Sequence, residues 1–177
     1  MPPCWNGIVP GETTIEDAAK KLSTGSDIEL KLLTPDGDYK GERELHWVFI
    51  GSDDNGLIIT DEEGVITSKI ILNIYSELTI QDIIKIYGDP SNVHVFDCRV
   101  ETIGNSCSVN LIFEEQGMIL GIYVNKGIRE ELKVSLYPST KIDNVTFYSA
   151  ESDSYVELFN VDSEKGFVEW HDYGVYP

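Results

Sequence analysis

LTIQDIIKIYG, residues 78–88, reads as a second copy of TTIEDAAKKL, residues 13–22. Thr14-Ile15-Glu16-Asp17 aligns with Thr79-Ile80-Gln81-Asp82, and Ala18, Ala19 and Leu22 align with Ile83, Ile84 and Tyr87. Each stretch predicts a short helix. The Thr hydroxyl can accept a free backbone N–H, and the Asp three residues on lies at the positive end of the helix dipole. Ile15, Ala18/Ala19 and Leu22 share one helical face, as do Ile80, Ile83/Ile84 and Tyr87. Gly88 and Pro90 stop the second helix. The first copy is entered through PCWNGIVPGETT, residues 3–14, whose Gly and Pro residues set a turn. Its Gly7-to-Gly11 spacing lacks the Lys of a phosphate loop. Trp5 is expected to be an apolar plug near the C-terminal WHDYGVY, residues 170–176.

A second pair of copies lies downstream of each helix. LIITDEEGVITSKIILN (57–73) parallels NLIFEEQGMILGIYVN (110–125), each reading as strand, acidic turn with Gly, strand. Gly64 and Gly117 hold the turn position that favours positive φ. Strands near ELHWVFI (44–50) and NVHVFDCRV (92–100) complete each unit. The polar, Gly-rich stretch 34–44 reads as a loop inserted in the first unit. The expected fold is therefore α+β: two tandem helix-plus-antiparallel-meander repeats sharing one antiparallel sheet, helices on one face, with extra C-terminal strands. The units run 1–75, 76–128 and 129–177. In the last, NVTFYS, SYVELFNV and GFVEWHDYGVY alternate apolar and polar residues, as edge strands or a cover over the sheet end would.

The second copy, LTIQDIIKIYGDPSNVHVF followed by SVNLIFEEQGMILGIYVN, resembles the SmpA/OmlA (BamE-like) fold of small bacterial outer-membrane lipoproteins. In the first copy IVPGETTIEDAAKKL resembles the helix start, but the Gly-x-Pro after the helix is missing. The tandem arrangement is similar to the β-lactamase inhibitor protein architecture, whose two repeats build one sheet with a concave face. PCWNGIVPGETT together with WHDYGVY resembles uncharacterised bacterial lipoproteins of tandem-repeat type. The resemblance implies export and tethering, and implies no chemistry.

Lys and Arg number 13 against 31 Asp and Glu, a formal charge of −18. Such a field repels nucleic-acid phosphates and anionic lipid, and it attracts basic protein surfaces or cations. It also serves solubility. No apolar run reaches the roughly 18 residues that span a bilayer. Met1 is followed at once by Pro2, Pro3 and Cys4, which suits a cytosolic start or a chain cut just after an export signal. Cys98 and Cys107 flank RVETIGNS. A turn centred near Thr102 and Ile103 would set them opposite each other for a disulfide, whereas a turn at Gly104-Asn105 would break that pairing. Two reduced cysteines, or Cys4 as partner of either, are the alternatives.

No catalytic, cofactor or metal residues are expected. His46, His94 and His171 lack metal-ligand spacing. Asp36-Gly37-Asp38 begins like a calcium loop, but Lys40 and Trp47 occupy its fifth and twelfth positions. SDDNG (52–56) has hairpin-turn composition. No nucleophile sits in an interpretable setting with His and Asp. Alternation along the strands puts Ile70, Leu72, Ile122 and Val124 toward the helices. Lys69, Ile71, Gly121 and Tyr123 point the other way. A protein-binding face of Trp47, Ile71, Tyr123, Tyr155 and Phe159 is one reading, and burial of that face under the tail is the other. The functional expectation is a monomeric, non-enzymatic, extracytoplasmic protein-binding or envelope scaffold module in bacteria, membrane-tethered or secreted, with a basic protein as candidate partner. The alternative is a cytoplasmic acidic immunity or inhibitor protein neutralising a basic toxin or enzyme.

Overall fold

The computed structural model describes residues 4–34, 41–75, 77–101, 104–126, 133–149 and 167–177. Both expected helices form. In α1 (Ile15–Ser23) the Thr14 hydroxyl accepts the Asp17 N–H at 3.2 Å, with Glu16 and Asp17 in the first turn and Lys20 and Lys21 in the last. In α2 (Ile80–Tyr87) Thr79 and Asp82 close a reciprocal capping box, and Gly88 at φ 83° ends the helix.

The strands are β1 (Ile28–Thr34), β2 (Glu44–Phe49), β3 (Asn55–Thr60), β4 (Thr67–Asn73), β5 (Asn92–Glu101), β6 (Gly104–Phe113), β7 (Met118–Lys126), β8 (Val134–Leu136), β9 (Asn144–Tyr148), β10 (Phe167–Glu169) and β11 (Gly174–Tyr176). Nine of them form one antiparallel sheet in the order β1-β2-β3-β4-β9-β7-β6-β5-β10, and β8 and β11 pair separately. Gly64 and Gly117, at φ 72° and 55°, turn the β3–β4 and β6–β7 hairpins.

This overturns the expected α+β arrangement of two helix-plus-meander repeats under a helix layer. The chain is predominantly β. Helices of nine and eight residues extend only about 12–14 Å, whereas nine strands spread over roughly 38 Å. The helices therefore contribute two local patches of side chains to a core made chiefly by strands. Two further differences concern particular segments. Ile28–Thr34, a stretch on which the sequence reading carries no expectation before residue 34, forms the sheet's first strand beside β2. NVTFYS lies not at an edge but at the centre, where β9 joins β4 to β7. Its alternation fits a position with one neighbour or two. The neighbours are set by the hairpins that flank it.

The core lies on one face of the sheet. Leu45, Trp47, Ile58, Ile70, Leu72, Leu120, Ile122, Leu111, Val109 and Val93 pack there with Ile15, Ala18 and Leu22 of α1 and Ile80 and Ile83 of α2. Trp47 is 1% exposed. Its ring crosses Gly56 so closely that a Cβ there would lie 2.0 Å from Cζ2. Trp5 stacks on it with centroids 5.2 Å apart and meets Phe49 edge-on. Trp5 is thus a plug, as expected, but over β2 and not against residues 170–176. The N-terminal strap is fixed by a Trp5–Ile8 bridge, by Gly11 N–H to the Thr67 carbonyl at 2.7 Å and by Lys21 donating to the Gly7 carbonyl.

Candidate functional site

Of the residues expected to share a binding face, Trp47 is on the opposite side of the sheet from Ile71 and Tyr123. Trp47 is in the core, opposite in strand parity to its neighbour His46. Ile71 is half-buried on the second face, aligned with Leu57 and Thr146. Tyr123 is on that second face and 54% exposed. Tyr155 and Phe159 lie outside the described residues, as do the calcium-like positions Asp36 to Lys40. Among the described residues no group of His, Cys, Asp and Glu could hold a metal ion. His46 contacts Glu44 at 2.9 Å and the His171 ring lies against that of Tyr176.

The second face has a legible row structure. One row reads Val48, Asn55, Asn73, Asn144, Gly121, Asn110, His94, Phe167 across eight strands. Asn73 donates its amide to Asn55 Oδ1 at 2.8 Å. Asn144 lies flat on Gly121, where a Cβ would come within 2.3 Å of its amide nitrogen. His94 is buried between Phe96 and Phe167, rings 5.0 and 4.4 Å apart. Ile112, Ile119 and Tyr148 form a small second core beside them. The part of this face around His94, Asn110 and Thr146 is therefore buried, while Asn55, Asn73 and Asn144 are half-buried.

The end of the face is different. Asp54 precedes β3 and its Oδ1 accepts the Tyr75 N–H at 2.6 Å. The next N–H back, from Ile74, reaches the Asp143 carbonyl at 2.8 Å. The Asp143 Oδ2 in turn accepts the Tyr123 N–H at 2.5 Å. A continuous rim runs Asp54, Tyr75, Asp143, Tyr123, past the ends of β3, β4 and β9 and onto β7, which continues to Lys126. Tyr75 is 69% exposed, and exposed Ile50 lies in the β2–β3 turn at the same end. Sequence reasoning found Tyr123 but missed Tyr75, Asp54 and Asp143. Asp54 belongs to the stretch assigned to turn composition, and Asp143 precedes a strand whose central position was not foreseen.

Cys98 and Cys107 are joined by a disulfide across β5 and β6, with a register shift between Phe96 and Arg99. Glu101 pairs with Gly104, and the turn expected near Thr102 and Ile103 lies outside the described residues. Cys4 is free and exposed. Among the described residues, four ionisations are perturbed. Arg43 beside Glu16, 2.6 Å away, lowers that carboxyl, and the Thr79 hydroxyl and backbone lower Asp82. Burial raises the phenols of Tyr173 and Tyr176, the latter donating to the Asp172 carbonyl at 2.7 Å. These perturbations belong to an ion pair, a helix cap and packing.

No family model, no curated protein and no solved structure matches this chain. No helix among the described residues is long and apolar enough to cross a membrane.

Proposed function

We propose that the chain is a non-enzymatic protein-binding module that works outside the cytoplasm, and that the exposed end of its second sheet face meets the partner. The observation that carries this reading is the rim of exposed Tyr75 and Tyr123 interleaved with Asp54 and Asp143. Tyrosines bring large contact area at low entropic cost and dominate interface energetics. The Cys98–Cys107 disulfide fits an oxidising compartment. The SmpA/OmlA-like resemblance would add tethering at the envelope.

The test is site-specific photo-crosslinking in the native cells, with a photoreactive phenylalanine analogue placed at Tyr75, at Tyr123, or at Glu63 in the β3–β4 turn at the other end. A discrete adduct from both tyrosine positions and none from Glu63 supports the reading. No adduct, or the same adduct from all three, overturns it.

The cytoplasmic acidic inhibitor is the second reading. Exposed, unpaired Cys4 favours it, since a free surface thiol is better tolerated in a reducing compartment. Thiol alkylation of protein taken directly from its source decides between them: two modified cysteines beyond Cys4 favour the cytoplasm, and Cys4 alone favours export.

A further inference from the structure

We infer that the Asp54–Tyr75–Asp143–Tyr123 rim docks an arginine-bearing segment of a basic protein; this rests on the protein-binding reading above and names the partner's chemistry. The backbone of the rim fixes the carboxylates. Each accepts the backbone N–H of a rim tyrosine, which holds Asp54 and Asp143 against the residues that carry the exposed aromatic side chains. Each bond uses one lone pair of a carboxylate that can accept several more. β4 and β7 both flank β9, so the backbones that carry Tyr75 and Tyr123 stand roughly 10 Å apart, two strand spacings. Asp143 lies between them.

Exposed aromatic faces beside oriented carboxylates complement one side chain best. A guanidinium stacks its plane on a tyrosine ring while its edge forks to a carboxylate, and an ammonium can do only one of these well. The surrounding field has the matching sign. With 31 acids against 13 bases, the net −18 steers a cationic segment toward the molecule. The field alone does not choose a place. The exposed aromatics do.

The test uses the full chain and a fluorescent Arg-Gly repeat peptide, with its citrulline counterpart as the uncharged isostere, read by anisotropy. Two double variants are compared. D54N with D143N keeps an acceptor oxygen for each tyrosine N–H and removes both charges. E62Q with E63Q removes two charges from the opposite end of β3 and β4. The Arg peptide is expected to bind, the citrulline peptide not to bind, and the rim variant to weaken binding roughly tenfold, with less than about a twofold change from E62Q/E63Q. Y75A with Y123A should match the rim loss while leaving the thermal transition in place. Equal weakening by both charge pairs means diffuse electrostatics and overturns the inference, as does equal binding of the two peptides. If the peptide fails while the crosslinks at Tyr75 and Tyr123 persist, this inference falls and the binding reading stands. If the crosslinks fail too, both fall.

Discussion

Gly56 and Trp47 show how one missing methyl sets a core. The indole, pressed from one side by Trp5, lies across Gly56 with no room for a Cβ. Gly56→Ala must push a rigid, fully buried ring, and overpacking of this kind costs about 2–3 kcal/mol. For a chain of this length the melting temperature should fall by roughly 5–10 °C. The emission of the displaced tryptophan should shift to the red. An unchanged melting point would mean that the β2–β3 pair slides freely to accept the methyl. Asp82 offers a second residue-scale outcome. Hydrogen bonds from the Thr79 hydroxyl and backbone hold its carboxyl below 3.8, its ordinary value. A depressed carboxyl contributes stability that is present above the unfolded value and lost as pH falls through the folded one. The contribution of Asp82 should therefore persist at neutral pH and fade only below about 3.8, the ordinary Asp value. An NMR titration should place Asp82 below 3.8, and Thr79→Val should move it upward. Equal values in the two proteins would show that the hydroxyl has no part in the shift.

At the scale of elements, alternation and capping were legible and neighbours were not. The caps at Thr14 and Thr79, and the turns at Gly64 and Gly117, depend on residues close in sequence, and the structure bears them out. The parity of the hairpin strands was also legible: Ile70, Leu72 and Ile122 are in the core, and Tyr123 points away. β1 was missed because IELKLLT puts Glu29 and Lys31 into a short strand whose Leu30-to-Leu32 pairing slips by a bulge. Those features suit a sheet edge and weaken the periodic signal. Trp47 was assigned to the wrong side because an isolated strand does not reveal which parity is inward. The disulfide pairing was one of several open at the sequence level, and the β5–β6 register selects it. Its consequence is measurable. Closing a loop of nine residues stabilises by about 2–3 kcal/mol. A reductant should lower the melting temperature of the natural chain and leave a Cys98→Ser/Cys107→Ser variant unaffected. Iodoacetamide should label Cys4 alone in the unreduced native protein. Labelling of all three cysteines before reduction would contradict the bond.

The whole molecule depends on β9. Each expected helix-and-hairpin unit carries its own cap and turn, but a division into two such units and a tail does not describe the sheet. The last hairpin strands of the units, β4 and β7, do not pair with each other. Five residues of the tail, Asn144–Tyr148, stand between them and bond to both. The same tail segment supports α2, because Ile80 N–H bonds to the Thr140 carbonyl and Ile142 N–H to that of Leu78. Val145 and Phe147 bury their side chains in the shared core. A chain ending at residue 128 would retain both units but lose the central strand. It would expose two edges, β4 and β7, whose Ile70, Leu72 and Ile122 are built for burial. We expect that fragment to show no sharp thermal transition and to aggregate as its concentration rises, whereas the full chain unfolds in one cooperative step. Adding a peptide of residues 133–149 in trans should restore part of the transition by supplying the missing strand. A fragment 1–128 that melts cooperatively near the temperature of the full chain would instead show that the two units pair directly and that β9 is dispensable.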